Sequence, residues 1–373
     1  MLNRALLVLL PKKDGACTAD AFRPISLQNC LMKLFTKVMV NRLKPVIPLL
    51  IDADQTSFIH GRSIAENFVY AADLLSCCYK RKVPTAVLKL DFKKAFDSVE
   101  WGSLDKILAA RGFDDPWRSW ISKILTSGKT AVMLNGVPGR WITCRRGLRQ
   151  GDPLSPYLFI IVADVLQRLI RCGVERGELQ HPIDATLSCP VLQYADDTLI
   201  LMKGDVASMT ALKRILEDFS AATGLTINFH KSTFVPMHVD ATTAAEMAEI
   251  LGCSVSSFPQ TYLGLPLSPH KLKFADYQPL LFSFECYLAA GKRGYLALVA
   301  ELCWSTLCLV ACPYSTCPLS CSQRRSWKLL MPSVEPFSGL ARNSAMAPAA
   351  WWLGRTCASL KSLVALVSKI SLI

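Results

Sequence analysis

Asp196 and Asp197 stand side by side between two apolar runs, Val191-Leu192 before them and Leu199–Met202 after them, with Tyr194-Ala195 completing the link. Apolar runs of this length bounded by polar residues read as buried strands, so the pair is predicted to occupy the tight turn of a hairpin. Two carboxylates held beside a core lose solvation and repel each other, which favours their protonated forms unless a cation compensates. A solvent-facing Asp-Asp turn is the plain alternative, and the tetrapeptide alone does not decide between them. A further carboxylate lies upstream, where strand Val87-Leu88-Lys89-Leu90 ends in Asp91. Asp97, three residues before Glu100 at the start of a helical pattern, has the spacing of a capping box and is expected to be structural. Asp91 has no such use. With Asp196 and Asp197 it would give three carboxylates at two strand ends. Such a set could hold two Mg2+ ions about 4 Å apart, one activating an attacking 3′-hydroxyl and the other stabilising a leaving pyrophosphate. That chemistry is nucleotidyl transfer.

A third segment, Arg145-Arg146-Gly147-Leu148-Arg149-Gln150-Gly151-Asp152-Pro153-Leu154-Ser155-Pro156, opens an apolar helical stretch running to about Ile170. Glycines beside arginines permit close backbone approach to a phosphate or base, and a helix N-terminus adds its positive end.

The elements that must position these residues are mixed. A strand ends at Pro11, helical patterns cover Cys30–Leu43 and Ser63–Leu75, and Val83–Leu90 reads as a buried strand. Asn135-Gly136 supplies the two positive φ angles of a type I′ turn in a hairpin between Thr130 and Cys144. Val206–Thr223 is an amphipathic helix stopped by Gly224. Strands and helices do not alternate strictly, which favours an α+β fold over a doubly wound sheet.

At 373 residues and a formal net charge of +13, the chain can bury a sizeable core and favours a polyanionic partner. Its basic residues are scattered as Lys12-Lys13, Lys80-Arg81-Lys82, Lys93-Lys94, Arg145-Arg146-Arg149 and Lys271-Lys273, which suits a nucleic-acid channel better than a membrane surface. The short apolar start is too brief for a signal-peptide core, so an intracellular location is expected, nucleus or cytoplasm unresolved. The 15 cysteines are accordingly read as thiols.

With these segments in place, the sequence resembles the reverse transcriptase of non-LTR (LINE-type) retrotransposons, particularly those of plants. The resemblance rests on Phe22-Arg23-Pro24-Ile25-Ser26-Leu27, on Gln55-Thr56-Ser57-Phe58-Ile59-His60-Gly61-Arg62-Ser63-Ile64, and on Leu90-Asp91-Phe92-Lys93-Lys94-Ala95-Phe96-Asp97. It continues through Arg149–Pro156, Tyr194–Asp197, Gly224-Leu225 with Asn228 and Lys231-Ser232, and Tyr262-Leu263-Gly264. It implies a right-hand polymerase in which residues 1–284 form the reverse transcriptase domain, fingers mainly 1–82 and 102–144, palm mainly 83–101 and 145–267. Asp91, Asp196 and Asp197 would be the metal-binding triad, holding two Mg2+ ions or Mn2+ in their place. Phe96 would crowd a ribose 2′-hydroxyl and so favour deoxynucleotides. Arg23, Lys12 and Lys13 would hold the incoming triphosphate, with Arg23 the best suited because a guanidinium grips phosphate bidentately. Gln150 and Gly151 would line the nascent base pair and template, Phe92 and Tyr194 would contribute to substrate binding, and Lys231, otherwise an ordinary surface lysine after a strand, would assist pyrophosphate departure. His60 is expected at the surface, with no role. The implied partners are an RNA template, a DNA primer and deoxynucleoside triphosphates, with no stable membrane association.

Departures from the family are expected at both ends. Endonuclease and upstream finger elements are missing, and the thumb is missing or degenerate. After Asp276 there is no aspartate, and the only glutamates are Glu285, Glu301 and Glu335. A frameshift near residues 284–295 in a decayed element would produce such a poorly ordered 285–373 tail. The spacing of Cys303, Cys308, Cys312, Cys317 and Cys321 lacks the close pairs of a zinc knuckle, and Tyr295–Cys312 carries Glu301 where a membrane span would not. A noncatalytic nucleic-acid-binding remnant and a group II intron maturase-like protein are the two alternatives to an RNA-directed DNA polymerase.

Overall fold

The computed structural model describes residues 3–12 and 15–289. The frameshift, the zinc and membrane readings of the tail, and Lys13 all lie outside the described residues.

Strand Thr85–Leu90 is buried almost throughout, and it is the middle strand of the central sheet. It pairs antiparallel with Asp197–Lys203 on one side (Leu88↔Ile200) and with Thr233–Met237 on the other (Leu88↔Phe234). Val191–Tyr194 closes one edge of this sheet and Ser254–Val255 the other. A strand buried on both faces reads as a continuous apolar run, which is why Thr-Ala-Val-Leu shows no alternation. Ala86, Leu88, Leu90, Ile200, Met202 and Phe234 join one core with helices Ser155–Glu175 and Val206–Thr223. Phe159 and Phe219 are fully buried there, and burying such a ring stabilises the fold by about 1.5–3 kcal/mol.

A second sheet holds Arg4–Pro11 between Phe22–Gln28 (antiparallel, Val8↔Ile25) and Lys129–Leu134 (parallel, Leu6↔Ala131). The hairpin from Lys129–Leu134 to Val137–Pro138 turns at Asn135 and Gly136, whose φ angles of 49° and 80° are those of the expected type I′ turn. Helix Cys30–Leu43 starts where Asn29 accepts the Leu31 N–H at 2.9 Å. Helix Val206–Thr223 is capped by Asp205 on the Ser208 N–H at 2.8 Å and ends at Gly224, φ 80°.

One sequence expectation fails locally. Asp97 does not cap the following helix; it lies within the short helix Ala95–Ser98. Glu100 caps Trp101–Ala110 instead, its carboxylate accepting the Ser103 N–H at 2.6 Å. The reason is a pinch from two glycines with positive φ. A Cβ on Gly147 would lie 2.7 Å from the Asp97 carbonyl oxygen, and one on Gly224 would lie 2.7 Å from that of Ser98. Chain so tightly packed at 97–98 cannot extend the longer helix backwards.

Residues 3–263 belong to one compact unit and Gly264 onward to another. Among its described residues the second unit holds strand Leu265–Leu267 and helix Phe274–Ala289, with Pro279 inside the helix. No described helix is long and apolar enough to cross a membrane. Cys17, Cys30, Cys77, Cys78, Cys144, Cys172, Cys189 and Cys253 are free thiols.

Candidate active site

The predicted hairpin is present. Val191–Tyr194 and Asp197–Lys203 pair with Tyr194 opposite Asp197, which leaves Ala195-Asp196 as a two-residue turn. Ala195 takes φ 57°, a left-handed conformation that is unfavourable for a residue with a Cβ. Across the neighbouring ladder Leu90 faces Thr198, so Asp91 leaves its strand one step from Asp197. Three carboxylates therefore share the end of two adjacent strands.

Their electrostatics show the proximity. The Asp197 carboxyl is held above the usual carboxylate range, first by desolvation and then by the charges of Asp196 and Asp91, while Lys89 opposes the shift. Asp197 is exposed as a residue, yet protein packed around its carboxyl strips enough water to shift it. Lys89 also donates to the Thr261 carbonyl at 2.7 Å, so its charge is shared. Such a cluster is short of positive charge and fits a divalent cation. Among the described residues, no three His, Cys, Asp or Glu side chains are grouped closely enough to coordinate a metal ion as they stand. Asp91 and Asp196 are exposed.

Asp91 is held by residues to which the sequence reading gave no role. Asn228 donates its backbone N–H to the Asp91 carbonyl at 2.7 Å and its side-chain amide to Asp91 Oδ2 at 3.3 Å. The buried Ser232 hydroxyl accepts the Asp91 N–H at 3.0 Å. Both residues sit in a sequence block already tied to the family, and their hydrogen-bonding side chains were the available signal. Lys231 lies between them, exposed, in the turn before strand Thr233–Met237 and not after a strand.

The Arg145–Pro156 segment docks on the short helix after Asp91. Gly147 N–H donates to the Val99 carbonyl at 2.7 Å and Leu148 N–H to that of Phe96 at 2.6 Å. Gln150 gives its carbonyl to the Ser26 N–H at 2.9 Å, tying this loop to the second sheet. Gly151 has φ 98°, and a Cβ there would come within 3.2 Å of the Ser26 oxygen, so the approach needs glycine. A cleft of about 220 Å3 opens between the two, lined by Pro24, Ser26, Asp97, Arg146, Gln150 and Asp152 among others.

The aromatic residues divide. Phe96 is half-buried and stacks on Phe159 with ring centroids 4.6 Å apart. Phe92 is buried and packs its ring toward Phe219, with ring centroids 6.1 Å apart. Tyr194 is half-buried and faces a cleft shared with Tyr157, Phe58 and His60. Arg23 is exposed on strand Phe22–Gln28. Lys12 is exposed too, and its charge reaches Asp97, helping to offset the upward shift that desolvation imposes on that carboxyl.

Residues 10–275 match the family described as Reverse transcriptase (RNA-dependent DNA polymerase). The chain belongs to the reverse transcriptase family. A Xenopus laevis relative, Transposon TX1 uncharacterized 149 kDa protein, is 31% identical over 231 residues, covering 62% of this chain and 17% of its own length. The Retrovirus-related Pol polyprotein from type-1 retrotransposable element R2 of Nasonia vitripennis is 32% identical over 208 residues, covering 56% of this chain and 20% of its own. Relatives of this kind identify the region as the reverse transcriptase domain of a LINE-type retrotransposon, and the chain spans about a fifth of their length. Among solved structures, telomerase from Candida tropicalis in complex with a fragment of telomeric RNA aligns at 14% identity and TM-score 0.48, over 72% of this chain and 44% of that one. The right-hand polymerase fold is that of the reverse transcriptase family, which uses divalent metal ions and takes a nucleic-acid template.

Proposed function

We propose that this chain carries RNA-directed DNA polymerase activity, extending a DNA primer on an RNA template with deoxynucleoside triphosphates. The observation that carries this reading is the register that sets Asp91 beside Asp197, with Asp196 in the adjoining turn. Asp91, Asp196 and Asp197 would hold two Mg2+ ions, which supply activation of the primer 3′-hydroxyl and charge neutralisation at the leaving pyrophosphate. Asn228 and Ser232 fix the direction of Asp91. Gln150, which lines the cleft beside Ser26, and the adjacent Gly151 would stand against the new base pair and template, with Arg23 and Lys12 as phosphate contacts. Phe96, braced by Phe159, is the residue placed to crowd a ribose 2′-hydroxyl, and Lys231 would assist pyrophosphate departure.

The test is extension of oligo(dT) on poly(rA) with Mg2+ and thymidine triphosphate. Wild type should extend and Asp196→Asn should not. Equal extension by both would refute the site, and salt-sensitive RNA binding without any extension would identify a noncatalytic remnant.

A further inference from the structure

The chain just upstream of Phe58 makes a single-residue parallel bridge to the edge strand Val191–Tyr194. Gln193 donates its N–H to the Asp54 carbonyl at 3.0 Å, Thr56 donates its N–H to the Gln193 carbonyl at 3.1 Å, and Gln55 bridges Gln193 in parallel. This places the Gln55 and Ser57 side chains against the turn that carries Asp196. The Ala195 N–H is shared between two acceptors, Ser57 Oγ at 2.8 Å and Gln55 Oε1 at 3.2 Å. Gln55 Oε1 also accepts from the Ser57 N–H at 3.1 Å and the Ser57 hydroxyl at 2.7 Å. The two side chains therefore act as one unit, each 1% exposed, with Ala195 itself 8% exposed.

Stability alone does not account for this arrangement. The amide nitrogen of Gln55 is buried without a partner among the described residues, which opposes folding. Ala195 is held at φ 57°, a left-handed conformation unfavourable for a residue with a Cβ. A free turn would be expected to relax out of that conformation. The clamp is itself anchored: the Arg62 guanidinium donates to the carbonyls of Gln55 at 2.7 Å, Ile51 at 3.1 Å and Pro48 at 3.3 Å.

We propose that Gln55 and Ser57 are positioning residues that clamp the Ala195 peptide N–H and so hold the Tyr194–Asp197 turn in the conformation that receives metal. They touch neither metal nor substrate. This role rests on the polymerase reading of the same site, so its test needs a readout that does not depend on turnover.

Terbium(III) supplies one, because its luminescence is sensitised by a nearby tyrosine, here Tyr194, whether or not primers are extended. The variants are Ser57→Ala and Gln55→Met, each removing one acceptor at similar size, and the double variant. Ser57→Ala should raise the terbium concentration at half-saturation by roughly tenfold, the order expected for one lost hydrogen bond, and the double variant by more. In primer extension kcat should fall by a similar factor with the KM for thymidine triphosphate unchanged, and thermal melting should not fall in step. Unchanged terbium affinity in the double variant would overturn the proposal, as would losses that track the fall in melting temperature. If wild type binds terbium through Asp196 and the variants weaken that binding while no form extends primers, the clamp stands and the polymerase reading fails.

Discussion

The loop that carries Gln55 is fastened to helix Ser155–Glu175 by a buried carboxylate, and its removal has a calculable consequence. Asp164 is 1% exposed and accepts from Arg111 Nη2 at 2.5 Å, from the Asp52 N–H at 2.7 Å and from Arg168 Nε at 3.2 Å. Arg111 is 8% exposed and donates a further hydrogen bond to the Leu50 carbonyl, whereas Arg168 is 58% exposed. Asp164→Leu strips a buried guanidinium of its counter-charge and leaves the Asp52 N–H unpaired, at a cost of about 3–5 kcal/mol. Arg168→Met removes a partner that water already screens, at a cost of about 0–1 kcal/mol. For a domain near this size each kcal/mol moves Tm by about 2–4 °C, so Asp164→Leu should lower it by roughly 6–20 °C and Arg168→Met by no more than about 4 °C. The double variant Asp164→Leu/Arg111→Met should recover part of the loss, since replacing both members of a buried pair by apolar groups is often close to neutral. Differential scanning calorimetry on the three variants decides the matter. A Tm for Asp164→Leu no lower than that of Arg168→Met, or a double variant melting no higher than Asp164→Leu alone, would refute the reasoning.

Three other outcomes are expected. Because the folded Asp197 carboxyl is raised, its ionisation opposes folding; metal-free wild type should lose stability as pH climbs from about 4 through the raised value, and Asp197→Asn should lose less over the same range, since Asp54, Asp73 and Asp97 are raised as well. At neutral pH that variant should melt higher than wild type, as followed by circular dichroism, and extend no primer; a lower Tm would contradict the desolvation argument. Gly147→Ala should be far more damaging than Gly177→Ala, since both have positive φ but only the first meets backbone, at 2.7 Å; melting temperatures of the two compare them directly. Phe96→Val should raise incorporation of ribonucleotides relative to deoxynucleotides in single-nucleotide extension, and a fall in Tm with an unchanged ratio would leave Phe96 as a core aromatic stacked on Phe159.

Local signals were legible and long-range ones were not. The Asp196 turn, the Asn135-Gly136 turn and the stop at Gly224 could all be read because each is decided by two to four neighbouring residues. The cap at Glu100 was misassigned because acids at 97 and 100 offer the same local chemistry, and the choice is made by Gly147 and Gly224 pressing on residues 97 and 98 from elsewhere. The parallel pairing of Leu6 with Ala131 has no local signature. Neither does the clamp on Ala195, whose acceptors stand about 140 positions upstream in a block that could be matched to a family but given no task.

These cases bear on how activity and stability are coupled in the site. At Asp197 they oppose each other: the carboxylate that metal chemistry requires is desolvated, crowded by two like charges, and best tolerated when neutral. At Asp164 they run together, because the same carboxylate that neutralises Arg111 also fixes the Asp52 N–H at the head of the loop leading to Gln55 and Ser57. Strain at the Tyr194–Asp197 turn is thus sustained from outside the turn, through hydrogen bonds reaching back to helix Ser155–Glu175. Substitutions within the turn should therefore separate melting temperature from metal affinity, whereas Asp164→Leu, which unfastens the whole supporting loop from helix Ser155–Glu175, should lower both. Measuring the two quantities on Asp197→Asn and Asp164→Leu side by side tests that division, and parallel losses in both variants would show that the turn holds itself.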